Sequence, residues 1–190
     1  MKKSILLDVD EVICFPGFLK ACNDFLNTNY EIDDFDTYYL DEQIIPKDRW
    51  DEFILFLGKR NVYDDAVLLP DAFDVINKLN DIYDIYICSS CINPFDINGS
   101  GCLFKNKYEY LIRELPFLDP TKFIFTNSKH LIKADIQIDD RLNNLDNDVE
   151  THILFSSYHN LNDELPENVI RAGTHWSNAW KDIENILING

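Results

Sequence analysis

Short apolar runs alternate with helical apolar patterns along most of the chain. The first run, residues 4–7 (SILL), is rich in branched residues and stops at Asp8, as expected of a buried strand. Directly after it, apolar residues recur at helical spacing from Phe15 to Leu26. The pattern therefore predicts a strand, a loop and a helix at the beginning of the chain.

The same alternation continues to the last helix. Further strand-like runs read YDIYICSS, TKFIFTN, ADIQIDD and THILFSS. Between and after them, helical patterns begin at Pro70, near Lys107 and at Trp176. Strands that alternate with helices form mainly parallel sheets with helices on both faces, so the sequence predicts an α/β fold of this kind.

The segment from Tyr30 to about Leu68 has a different texture. An acidic aromatic stretch, EIDDFDTYYLDEQ, leads through Pro46 into the helical pattern KDRWDEFILFLGKR, whose aromatic residues fit a small local core. We therefore predict one domain over residues 1–190, with a small and mostly helical inserted cap over residues 16–68.

Two carboxylates stand where the first predicted strand ends. Asp8 and Asp10 point to the same side because side chains alternate along a strand. Burial of such a pair is costly unless a cation, a phosphate or water meets it, and ligands of open α/β sheets bind at this end of the strands. The spacing suits a nucleophile at Asp8 and a proton donor at Asp10, with a divalent metal that offsets charge. A solvated acidic turn is the alternative, since the chain holds 34 Asp and Glu residues.

Polar residues also mark the ends of later strands. Ser89 and Ser90 close YDIYICSS, Asp139 and Asp140 close ADIQIDD, and Lys107 lies near the start of a predicted helix. Each of these alone fits a turn or a solvated residue. Because the carboxyl ends of parallel strands meet at one edge of a sheet, we expect these residues and the first acidic pair to form one site.

Composition restricts the class of protein. The chain has 190 residues and a formal charge of −17, which would repel nucleic acid polymers and anionic membranes. No apolar stretch approaches the roughly 20 residues that span a bilayer, and MKKSILLDVD does not fit a signal peptide. We therefore expect a cytoplasmic protein with a small-molecule partner, and the choice between a monomer and a homodimer stays open.

The cysteines offer a second interpretation. Five cysteines without framework spacing fit reduced thiols better than a disulfide scaffold. Cys88 and Cys91 have C-x-x-C spacing and, with Cys102, could indicate a thiol redox centre or a zinc site. Cys88 closes an apolar strand, however, and no nearby histidine supplies a fourth zinc ligand.

The motifs carry a resemblance to a known superfamily. DVDEV, the ICSS strand end, Lys107 and IDDR resemble, in this order, the four motifs of the haloacid dehalogenase (HAD) phosphatases. NVYDDAVLLPDA, KNKYEYLIREL, ADIQIDDR, THILFSSYHN and WSNAWKDI resemble segments of the 5'(3')-deoxyribonucleotidase family. This resemblance implies a HAD-like, Rossmann-type fold and a magnesium-dependent phosphomonoesterase that dephosphorylates (deoxy)ribonucleoside monophosphates through an aspartyl-phosphate. A HAD phosphatase for another small phosphate ester is the alternative.

The resemblance also implies catalytic roles. Asp8 is expected to attack phosphorus, while Asp10 protonates the leaving nucleoside oxygen and then activates water. Ser89 is expected to bind a phosphate oxygen with Ser90 nearby, and Lys107 to offset the charge of the nucleophile and the phosphoryl group.

By the same resemblance, Mg²⁺ is held by Asp8, the backbone carbonyl of Asp10 and Asp140, with Asp139 as an outer support. Glu11 replaces a usual glycine after the second aspartate, which could restrict a loop that moves with the cap. Further substrate-binding candidates are four aromatic residues at positions that resemble the family's base-binding positions: Phe15, Tyr38, Tyr39 and Tyr63. Asn127 is a further candidate, because it stands where some members have an arginine that helps to bind the substrate. The aromatic residues fit a cap core about equally well.

Overall fold

The computed structural model describes residues 2–93, 97–145 and 149–189. Within these ranges the strands are β1 (Ser4–Leu7), β2 (Cys14–Phe15), β3 (Val67–Leu68), β4 (Asp84–Ser89), β5 (Phe123–Phe125), β6 (Ile136–Asp139), β7 (Thr151–Phe155) and β8 (Val169–Ala172). The α-helices are α1 (Phe18–Leu26), α2 (Leu40–Ile44), α3 (Trp50–Leu57), α4 (Ala72–Ile82), α5 (Ser100–Glu114) and α6 (Trp176–Glu184). None of the described helices is both long and apolar enough to cross a membrane.

Six of these strands form one parallel sheet in the order β5-β4-β1-β6-β7-β8. Strand β1 lies between β4 and β6, with Ile5 opposite Ile85 on one side and Ile136 on the other. The carboxyl ends of these three strands therefore meet at one edge. The predicted α/β fold with a parallel sheet is confirmed.

Both faces of β1 are buried, as a central strand of a parallel sheet requires. Ile5 and Leu7 belong to the main apolar cluster, to which α4 and α6 also contribute, and Leu6 on the opposite face is 2% exposed. Trp180 of α6 is fully buried in this cluster, and its indole nitrogen donates a 2.8 Å hydrogen bond to the carbonyl of Val12. The core thus supports the loop that follows β1.

Residues 16–66 lie between the two strands of a short antiparallel pair. Strands β2 and β3 place Cys14 opposite Leu68, so the two ends of this segment are side by side. The segment has its own apolar cluster, built around Phe53, Phe35 and Leu40. Tyr158, from the loop after β7, is buried in that cluster. The assignment of residues 16–68 as a cap stays a prediction.

Two elements differ from the sequence expectation. Helix α4 begins at Ala72 and not at Pro70, because Asp71 has a left-handed backbone with φ 62°. Strand β8 was not predicted, since Val169–Ala172 is a short edge strand with exposed Ile170 and no continuous apolar run.

Candidate active site

Three buried carboxylates converge where β1 and β6 end. Ligand oxygens of Asp8, Asp139 and Asp140 lie within 4.8 Å of one another, and all three residues are buried. The Oδ1 atom of Asp8 is buried without a hydrogen-bond partner among the described residues. Carboxylate oxygens are the donors that Mg²⁺ prefers, and an unpartnered buried oxygen is costly unless a ligand meets it. These residues therefore fit a divalent cation.

Lys129 is the counter-ion of this cluster. Its Nζ lies 2.8 Å from Asp8 Oδ2 and 2.7 Å from Asp139 Oδ2, and its side chain is 6% exposed. Burial disfavours its charge, but the two carboxylates outweigh burial and raise the pKa of Lys129. The sequence alone does not indicate Lys129 as a site residue, because it stands in the polar run NSKHLIK, which is typical of a solvated loop. A lysine closely upstream of the acidic strand end was the available signal.

The carboxylates of the cluster differ in their affinity for protons. Burial opposes ionisation of Asp8, but Lys129 and Lys107 outweigh burial and hold the pKa of Asp8 below its usual range. Burial raises the pKa of Asp139 to about 7 and that of Asp140 to about 6, with the negative charge of Asp8 adding to both shifts. Of the three carboxylates, Asp8 therefore keeps its negative charge down to the lowest pH, which suits a nucleophile.

Asp10 and Lys107 form a second group near the ends of β1 and β4, in which Lys107 is buried and Asp10 is partly exposed. The Nζ atom of Lys107 donates to Asp10 Oδ2 at 2.8 Å, to Ser89 Oγ at 2.8 Å and to the Ser90 carbonyl at 2.6 Å. Tyr63 donates from its hydroxyl to Asp10 Oδ1 at 2.7 Å. Lys107 lies in the middle of α5, not near its start as predicted, because the helix begins at Ser100.

A pocket of about 190 Å³ lies over both groups. Ser90 donates a hydrogen bond to Asn127, and Arg141 lies over the ring of Tyr38, 4.3 Å from its centroid. The pocket brings together predicted site residues from four strand ends and the inserted segment; its lining is Asp8, Asp10, Glu11, Tyr38, Ser89, Ser90, Asn127, Lys129, Asp140, Arg141 and Asn144.

The aromatic candidates occupy different environments. Tyr38 lines the pocket, whereas Tyr39 is 54% exposed and contacts Tyr38 edge-on at 5.0 Å. Phe15 is half-buried and packs edge-on against Trp176 at 5.3 Å. Tyr63 is 3% exposed, and its hydroxyl is bound to Asp10. The core covers the ring of Tyr63 in this structure, and its base-stacking role stays a prediction.

Glu11 is surrounded by the loop that follows β7. Its carboxylate accepts hydrogen bonds from Ser157 Oγ and the Tyr158 hydroxyl, each at 3.2 Å, and lies 2.9 Å from His159 Nε2. The same His159 nitrogen lies 2.9 Å from Asp140 Oδ2. Burial disfavours the imidazolium, but these two carboxylates outweigh burial and raise the pKa of His159 to about 9. No sequence signal joined this loop to Glu11.

The thiol interpretation finds no support at this site. Cys88 and Cys91 are buried, and burial raises the pKa of both thiols to about 11, so they are protonated at neutral pH. Two clusters of the described residues could hold a metal, Asp8 with Asp139 and Asp140, and Glu11 with Asp140 and His159. Neither contains a cysteine. A redox centre needs a thiolate, and a zinc site needs converging ligands.

Known proteins resemble this chain over its full length. Residues 2–189 match the family described as "5' nucleotidase, deoxy (Pyrimidine), cytosolic type C protein". The 5'(3')-deoxyribonucleotidase of Bacillus subtilis is 27% identical over 196 residues, which cover 99% of this chain and all of that protein. A Staphylococcus aureus protein provisionally named a 5'(3')-deoxyribonucleotidase is 31% identical over 191 residues, covering 99% and 97% of the two chains.

Solved structures resemble the fold. A haloacid dehalogenase-like hydrolase from Streptococcus pneumoniae has a TM-score of 0.51 and 16% identity, covering 82% of this chain and 85% of that one. A Bacillus subtilis protein provisionally named a HAD-hydrolase, solved with bound magnesium, has a TM-score of 0.51 and 15% identity, covering 98% of both chains. These likenesses show the fold, and the family match extends over nearly every residue. The chain therefore has a HAD-like fold, belongs to the 5'(3')-deoxyribonucleotidase family and is a phosphoric monoester hydrolase.

Proposed function

We propose that this protein is a magnesium-dependent phosphatase that dephosphorylates deoxyribonucleoside monophosphates through an aspartyl-phosphate at Asp8. The environment of Asp8 is the main support for this proposal. Its carboxylate is buried, yet its pKa is held below the usual range. One oxygen is bound by Lys129, and the other has no hydrogen-bond partner among the described residues. The names of the family and of its relatives support a nucleotide as the substrate.

In the proposed first step, a carboxylate oxygen of Asp8 attacks phosphorus and the bond from phosphorus to the nucleoside oxygen breaks. Asp10 gives that oxygen a proton and later takes one from the water that hydrolyses the aspartyl-phosphate. Its side chain is 36% exposed at the pocket, and contacts with Lys107 and Tyr63 fix its direction. Lys129 and Lys107 together offset the charge of Asp8, a role that we expected of Lys107 alone.

The hydrogen bonds of the acidic pair support different tasks at the metal. Asp139 Oδ1 accepts from the Arg141 amide at 3.0 Å and from Asn144 Nδ2 at 2.8 Å, and Oδ2 is bound by Lys129. We therefore assign Asp139 to support and Asp140, with Asp8 and the Asp10 carbonyl, to direct binding. Bound Mg²⁺ would neutralise charge on the phosphoryl oxygens and the carboxylates.

The remaining residues are assigned to the phosphate and the nucleoside. Ser89 Oγ, held by Lys107 at the end of β4, and the neighbouring Ser90 and Asn127 would bind phosphoryl oxygens. We assign residues 16–68 to a cap that covers the nucleoside. Tyr38 is the aromatic candidate that lines the pocket. Tyr39 contacts Tyr38, and Phe15 lies in β2, where the proposed cap begins.

Hydrolysis of a panel of phosphate esters tests this function. Purified protein would be assayed with deoxyribonucleoside and ribonucleoside monophosphates, sugar phosphates and an aryl phosphate, with and without Mg²⁺. We expect Mg²⁺-dependent release of phosphate with a preference for deoxyribonucleotides. A preference for sugar phosphates over every nucleotide would overturn the assigned substrate, and hydrolysis unaffected by metal removal would overturn the proposed chemistry.

A further inference from the structure

The loop after β7 directs three donors at one carboxylate. Ser157, Tyr158 and His159 are consecutive, and each has a side-chain donor within 3.2 Å of Glu11. The Glu11 side chain is only 16% exposed, although it lies in the turn that follows the catalytic aspartates. A carboxylate that gathers three side-chain donors from one loop is held in a fixed position.

Two of these donors also reach other parts of the site. The Tyr158 hydroxyl lies 3.4 Å from the carbonyl of Tyr38, and its ring is buried in the apolar cluster of the inserted segment. His159 lies 2.9 Å from Asp140 Oδ2, and Asn160 donates to the Asp140 carbonyl at 2.7 Å. The loop therefore joins Glu11 to the proposed cap on one side and to a proposed metal ligand on the other.

The backbone of Glu11 adopts a conformation that is unfavourable for residues other than glycine. Its φ is 63°, in the left-handed region that suits glycine because glycine has no Cβ. The Glu11 amide donates to the Cys14 carbonyl at 2.7 Å, which closes the turn in this conformation. Glu11 therefore makes its side-chain contacts from a backbone conformation of higher free energy.

We propose that Glu11 is a positioning residue that holds Asp140 through His159 and the backbone of Tyr38 through Tyr158. This inference rests on the proposed function, because it assigns Glu11 to the arrangement of that same metal site and cap. The shape of the carboxylate matters for this role as well as its charge, since one group must meet three donors.

Mg²⁺ binding tests the contact with Asp140 without any assay of activity. The measurement is the Mg²⁺ concentration that gives half of the metal-induced rise in Tm. We expect Glu11→Gln and Glu11→Asp each to raise this concentration about tenfold, the lower end of the loss seen when an outer partner of a metal ligand is removed. Glu150→Gln is the matched control, because Glu150 is exposed and pairs with Lys3 beside the amino end of β1; it should bind Mg²⁺ as the parent does.

Glu11→Asp separates position from charge. It keeps the negative charge but is shorter by one methylene, so it cannot meet all three donors. Parent-like Mg²⁺ binding by this variant would overturn the positioning role and leave charge as the function of Glu11.

Tyr158→Phe tests the contact with Tyr38, because it keeps the buried ring and removes only the hydroxyl. At saturating Mg²⁺ we expect KM for a deoxyribonucleoside monophosphate to rise about threefold to tenfold, as for one lost hydrogen bond, and KM for an aryl phosphate, which has no nucleoside to meet the proposed cap, to rise less. Glu11→Gln should add no further rise in this background. Additive effects, or equal losses on both substrates, would overturn the coupling. If the parent hydrolyses no ester, the proposed function fails while the Mg²⁺ titrations still decide the role of Glu11.

Discussion

Asp8 stays ionised in a buried place because two lysines face it. We predict that Asp8→Asn lowers the rate of phosphoester hydrolysis by about 10³-fold or more, because the amide keeps the shape of the side chain but is a poor nucleophile. Initial rates at saturating Mg²⁺ would measure the loss, and circular dichroism would check the fold. Hydrolysis at the parental rate would rule out an aspartyl-phosphate at this residue.

Lys129 neutralises two buried carboxylates at once. We predict that Lys129→Ala lowers the free energy of unfolding by about 3–5 kcal/mol without metal, because Asp8 and Asp139 are left without their shared cation. Urea denaturation would measure it, with saturating Mg²⁺ restoring part of the loss. Lys181→Ala is the control, since that lysine is exposed and pairs with Asp71 at 3.5 Å; equal destabilisation by both variants would contradict the prediction.

The acidic pair couples metal binding to pH. In the metal-free protein the pKa values of Asp139 and Asp140 are raised to about 7 and about 6, so these carboxylates take up protons as pH falls through that range. Mg²⁺ must displace these protons. We therefore expect the Mg²⁺ concentration for half-saturation to rise as pH falls from 8 to 5.5, by up to about tenfold per pH unit for each proton displaced. Thermal-shift titrations would measure this, and a flat profile would contradict it.

The strand ends are the part of the site that the sequence predicted well. Asp8 directly follows β1, β4 ends at Ser89 and β6 ends at Asp139, and an apolar run followed by Asp or Ser is visible locally in the sequence. The contacts of Glu11 were not predictable in this way. Ser157 is 146 residues away, and only the parallel order of β1, β6 and β7 brings it near.

Burial of polar groups was the weaker part of the prediction. Tyr63 was expected under the cap, but the core covers its ring and Asp10 takes its hydroxyl. Lys129 was passed over because local polarity does not reveal that two carboxylates surround a lysine. Both environments arise from contacts between distant segments, which the periodicity of the sequence does not reveal.

Helix α6 supports the catalytic loop through Trp180. We predict that Trp180→Phe lowers the free energy of unfolding by about 1–3 kcal/mol, because it removes the hydrogen bond to Val12 and leaves the buried carbonyl without that donor. Urea denaturation would measure the change. Trp176→Phe, at a half-buried position of the same helix, is the comparison and should cost less; the reverse order would show that the Val12 contact is unimportant.

The whole molecule carries a formal charge of −17, although its proposed substrate is an anion. Such a charge repels phosphate esters at a distance, and dissolved salt screens that repulsion. We therefore expect KM for a deoxyribonucleoside monophosphate to fall as NaCl is raised from low to moderate concentration at saturating Mg²⁺. Steady-state kinetics would measure KM, and sucrose, an uncharged solute that does not screen charges, would be the control. A KM that rises steadily with salt would contradict this expectation.

The burial of Tyr158 among residues of the inserted segment has a consequence for the timing of turnover. If that segment swings outward, the tyrosine ring is uncovered, and exposure of some 150–250 Å² of aromatic surface costs about 4–6 kcal/mol. An open form that costs this much is rarely populated. Entry of the nucleotide and departure of the nucleoside would then require infrequent opening of the inserted segment. The turnover rate would therefore be limited by this opening and not by bond breaking at phosphorus.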